Sequence, residues 1–63
     1  MLVVSATTAE DYLKSGHKVV AYVGHYTVER CVAKFDRQLG VLVDDKDRLV
    51  DLSQVHEYSV IVD

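Results

Sequence analysis

Four short runs of consecutive aliphatic residues constrain this chain most: Leu2-Val3-Val4, Val19-Val20, Val41-Leu42-Val43 and Val60-Ile61-Val62. Strict alternation of apolar and polar residues marks a strand with one wet face, whereas unbroken aliphatic stretches mark strands covered on both faces. Valine and isoleucine, branched at Cβ, pack well on a pleated surface. A sheet protein follows, with several strands that need cover. The chain has 63 residues, enough for one domain spanning residues 1–63. A domain of that size buries only about 60% of the surface its unfolded chain exposes. Small domains offset this with disulfides, a metal or a second subunit. Cys31 is the one cysteine, so no internal disulfide can form. No CxxC or HExxH spacing occurs, so no structural metal or cofactor is expected. Subunit pairing remains, and a homodimer is expected.

Leu2–Ser5 reads as a first strand. Thr7 and Thr8 each precede an acidic residue by three positions (Glu10, Asp11), which predicts a capped helix start. Ala9, Tyr12 and Leu13 then share one face, and Gly16 stops the helix. Lys18–Val23 is the second strand. Val28, Cys31, Val32, Phe35 and Leu39 follow at i, i+3, i+4, i+7 and i+11, a spacing that predicts a second, amphipathic helix; a competing strand over Tyr26–Phe35 finds no clean alternation, since Val28 and Val32 share a face with Arg30 and Lys34. Thr27 would cap it, and Gly40 would end it. Val41–Val43 and Leu49–Leu52, joined by Asp44-Asp45-Lys46-Asp47, read as a hairpin. Ser53–Glu57 is compatible with a short helical turn, and Tyr58–Val62 is the last strand. The expected fold is α+β in the order β-α-β-α-β-β-β, with two short helices on one face of the sheet. The opposite face, or an edge strand, should then meet a second copy or a partner.

The charge balance is mildly acidic, with 10 Asp and Glu against 7 Lys and Arg. Duplex DNA is therefore not an expected partner, because nonspecific binding needs a basic footprint. The longest apolar run, Val19–Val23, is far shorter than the ~18–20 residues of a membrane span, so no membrane is expected as partner. No basic segment precedes the N-terminal apolar residues, which argues against a signal peptide and points to the cytoplasm.

The junction Val23-Gly24-His25-Tyr26-Thr27 is where the residues hint at chemistry. A glycine, a histidine and the start of the expected second helix coincide there. Free N–H groups and the positive end of a helix dipole suit an anion. His25 is then the candidate catalytic residue, as a general acid, or a contact to a phosphate, with Gly24 and Thr27 as ligand-binding partners. The plainer reading makes His25 and Gly24 turn residues and Thr27 a cap. Tyr26 and Tyr58 are candidate interface residues, or half-buried packing residues. Arg30, Lys34 and Arg37 read as a solvated helix face or a clamp for an acidic partner. Asp44, Asp45, Asp47 and Asp51 read as a solvated turn. They lack the glycine and closing glutamate of a calcium loop. Cys31, in the apolar stripe, reads as a packed residue.

Val23-Gly24-His25-Tyr26-Thr27, the residues after it and the closing Leu39-Gly40 resemble one stretch of the viral ring nucleases, anti-CRISPR enzymes of type III immunity. The resemblance covers Val19–Gly40. It implies a dimeric sheet protein that binds and cuts cyclic tetra-adenylate, with His25 as general acid and Ser5 and Thr27 as ligand contacts. The family's Arg and Glu-Gly segment after the hairpin has no equivalent here, and neither does its Asn-Ala before the serine. A chain without the acidic residue would hold such a ring without cutting it.

Two functions are therefore expected. The first is a non-enzymatic binding protein, a viral or mobile-element inhibitor or regulator that engages a host protein as a homodimer. The second is a ring-nuclease-like protein that binds or cuts a small anionic nucleotide at Gly24-His25 as a metal-independent phosphodiesterase.

Overall fold

The computed structural model describes residues 1–24 and 28–62. The described elements are β1 (Leu2–Val4), α1 (Ala6–Lys14), β2 (Lys18–Val23), β3 (Val28–Asp36), β4 (Val41–Asp44), β5 (Leu49–Asp51), a single 3-10 turn (Leu52–Gln54) and β6 (Val55–Ile61). The six strands form one antiparallel sheet in the order β1-β6-β2-β3-β4-β5. The α+β class, β2, α1 and the β4–β5 hairpin match the expectation.

The second helix does not form. Strand β3 occupies most of the segment assigned to it, and α1 is the one α-helix among the described residues. The order is therefore β-α-β-β-β-β-β, and the two-helix layer is corrected to a single helix. The cause lies in the spacing. By register Val28, opposite Val23, lies on the core side of the sheet with buried Val32 two strand periods later, though Val28 itself is exposed at the strand's start. The register then shifts between Val32 and Lys34, a bulge that lets Phe35 rather than Lys34 return to the core. Inward positions 28, 32 and 35 thus copy the i, i+4, i+7 spacing of a helix. Cys31 points away from the core, opposite Val20, and Leu39 lies in the exposed β3–β4 turn.

Helix α1 starts two or three residues earlier than its threonines suggest. Ser5 is the N-cap, and its Oγ accepts from the Thr8 N–H at 3.4 Å. Gly16, at φ +90°, turns the chain back toward β2. Ala9 is fully buried, and Ala6, Tyr12 and Leu13 pack around it. The core lies between α1 and one face of the sheet: Val19 and Ala21 from β2, Val32 from β3, Leu42 from β4, Val50 from β5, and Tyr58 and Val60 from β6. The Arg37 guanidinium fastens α1 from outside, donating to Thr7 Oγ1 at 3.1 Å and pairing with Glu10 at 3.3 Å.

Candidate functional site

The residues singled out by the sequence do not assemble into one described site. His25, Tyr26 and Thr27 lie outside the described residues. Gly24 is a turn glycine at φ +80°, and its N–H donates to the Gln54 carbonyl at 3.2 Å. Residues from Val28 onward are strand, so no helix N-terminus stands after Thr27 to attract an anion. Ser5 is committed to capping α1. Tyr58 faces the core at 7% exposure and packs on Phe35, with ring centroids 5.7 Å apart. Burial pushes its phenol pKa up, and Arg37 partly opposes the shift. A tyrosine so placed has little surface to give a partner.

The acidic turn is not simply solvated. Asp44 is buried and accepts from the Lys46 and Arg48 N–H groups at 2.9 and 2.8 Å, and from Arg48 Nε at 2.8 Å. Arg30 reaches the same carboxylate at 3.9 Å. Burial raises the Asp44 pKa, but the two backbone N–H groups and the Arg48 side chain outweigh it and hold the carboxyl below its ordinary 3.8. Asp47, at φ +60°, completes the turn. The Lys46 and Arg48 contacts hold the hairpin closed and Arg30 ties it to β3, so Asp44 is accounted for structurally.

The unexplained surface lies at the sheet's first edge. Strand β1 pairs with β6 on one side and, among the described residues, has no strand on the other. Its sequence, Leu-Val-Val, carries no charge, no proline and no bulge, the devices that normally blunt an edge. Around it lie Met1, Leu2, Val3, Ile61 and Val62, exposed by 78, 41, 61, 39 and 43%. Of the exposed large apolar residues among those described, only Val28, Leu39 and Leu49 lie elsewhere. The sequence could have shown this patch: the chain begins and ends in aliphatic runs, Leu2-Val3-Val4 and Val60-Ile61-Val62, and the pairing of Leu2 with Val60 sets them side by side. By contrast, the outward-facing residues of central β2, Val20 and Tyr22, are already buried.

No family model, no curated protein and no solved structure matches this chain.

Proposed function

We propose that this chain is a small binding module that works as a homodimer joined β1 to β1. The carrying observation is the bare apolar edge formed by Leu2, Val3 and the adjoining end of β6. An antiparallel pairing centred on Val3 would set Leu2 against the partner's Val4 and satisfy the outward N–H and C=O groups of β1. Such a pairing is isologous, so it closes at two copies. It also extends one continuous sheet across both subunits, removing the edge that invites uncontrolled aggregation. Three-residue strands with their side chains bury less than the ~800 Å² per partner of a standard interface. The dimer is therefore expected to be concentration-dependent.

Sedimentation velocity across a range of protein concentrations tests this reading. Wild type should pass from monomer to dimer. Val3→Lys, which places a charge at the centre of the pairing, should remain monomeric with an unchanged circular dichroism spectrum. A wild-type chain that stays monomeric at the highest concentration would overturn it.

A further inference from the structure

We propose that the cleft between α1 and the second half of β3 is a separate docking groove, which takes an extended peptide of alternating acidic and apolar residues as an added strand. Strand β3 pairs with β2 only from Val28 to Cys31, whereas Val32–Asp36 pairs with β4 alone. β3 therefore leaves one part of the sheet and continues into another, with its β2-side edge unpaired beyond Cys31 among the described residues. A cleft of about 230 Å³ opens there, lined by Glu10, Leu13 and Lys14 of α1 and by Ala33, Lys34 and Phe35 of β3. The bulge leaves Ala33 and Lys34 on one side of the strand while Phe35 turns to the core side, so the lining draws on both sides. The cleft thus runs along the strand's edge, where backbone groups are offered, rather than across a face.

A helix beside an open strand edge is the geometry in which a peptide gains affinity from main-chain hydrogen bonds and specificity from alternate side chains. The lining sets that specificity. Leu13, Ala33 and Phe35 give an apolar floor. Glu10 is neutralised by Arg37, while Lys14 and Lys34 have no ion-pair partner among the described residues. The cleft is therefore cationic on a chain of net charge −3. Lys34 and the bulge beside it also guard this edge against flat, indiscriminate pairing. An incoming strand gains at this edge when it brings carboxylates to the lysines. The surface is distinct from the β1 edge, so the two proposals stand or fall separately.

The test is a selection from a random peptide library displayed on phage, with the Val3→Lys protein as a second bait. Enriched sequences should alternate apolar with acidic residues on both baits. A synthesised winner should shift the amide NMR signals of residues 10–14 and 33–36 and protect alternate amides of 33–36 from hydrogen exchange. The double variant Lys14→Glu/Lys34→Glu should weaken its binding about tenfold or more, the sum expected of two lost charge pairs. Both lysines are exposed, and an unchanged amide spectrum elsewhere will show that the variant folds. Lys34→Gln should give a smaller loss in the same direction. A selection without enrichment, a winner indifferent to both lysines, or shifts centred on other residues would overturn the proposal.

Discussion

Replacing Leu42 by alanine tests whether the two parts of the sheet share one cooperative core. Leu42 is fully buried on β4, paired with Phe35 on one side and Val50 on the other. Three carbons are lost, about 2.4 kcal/mol at ~0.8 kcal/mol per buried methylene. With the cavity left behind, such changes cost about 2–5 kcal/mol. A chain of 63 residues is expected to hold only about 3–9 kcal/mol in total. The thermal midpoint should fall by roughly 10–20 °C at the low end of that loss. The tyrosines make the test sharp. Three of the four are Tyr12 on α1, Tyr22 on β2 and Tyr58 on β6, the fourth is Tyr26, and there is no tryptophan. Tyrosine fluorescence therefore reports on unfolding away from β4 and β5. In a urea titration, the Leu42→Ala midpoint should drop equally by fluorescence and by far-UV circular dichroism. The Phe35–Tyr58 contact across the junction is the physical link. A tyrosine transition left in place while the dichroism transition moves or splits would refute a shared core.

Other perturbations have defined outcomes. The Asp44 carboxyl is held below 3.8 in the folded protein, and so is that of Asp51, through the Ser53 N–H and hydroxyl against burial. Their stabilisation is fully present above the unfolded value near 3.8 and is lost as pH falls through the lower folded value. Asp44→Asn should therefore be less stable than wild type at pH 7, with the gap narrowing in acid below pH 3.8; a constant gap across denaturation curves at several pH values would contradict this. Ser59 is fully buried, and its Oγ has no hydrogen-bond partner among the described residues. Ser59→Ala should be neutral or stabilising by up to about 1 kcal/mol in urea, because an unsatisfied buried hydroxyl is removed; a clear loss would mean the hydroxyl is satisfied. For the nucleotide reading, native mass spectrometry with cyclic tetra-adenylate should show the dimer without ligand. One ring per pair of chains, abolished by His25→Ala, would instead place that reading ahead of the protein-binding one.

Aliphatic density and turn residues made much of this fold legible. Lys18–Val23 and the hairpin around Asp44–Arg48 could be read directly, and so could α1 from its Ala9, Tyr12 and Leu13 face. Val28, Val32 and Phe35 could not, because a one-residue bulge inside a strand yields helical spacing and nothing in the composition separates the two. A strand sets Val28 and Val32 on one face with Arg30 and Lys34, which speaks against it, while Arg30, Lys34 and Arg37 read as the solvated side of a helix. The buried state of Asp44 was hidden for a different reason. Its partners are backbone N–H groups of the turn, which carry no side-chain signature. The expectation that an edge strand would meet something rested on surplus aliphatic surface, and the exposed cluster around β1 is where that surplus sits. Lys34 reads as part of a helix face or a clamp for an acidic partner, but its place beside Lys14 shows only once the strand replaces the helix.

The bulge between Val32 and Lys34 works like a frame shift written into one strand. Upstream of it, even-numbered residues face the core. Downstream, the odd-numbered Phe35 does so. Removing residue 33 would close the bulge into plain alternation and leave Val32 and Phe35 both inward, whereas adding a residue there would turn Phe35 to water and draw Lys34 and Asp36 inward. The strand therefore has slack in one direction of length and none in the other. A lineage of such chains would be expected to vary residue 33, or even lose it, without ever gaining a second residue beside it.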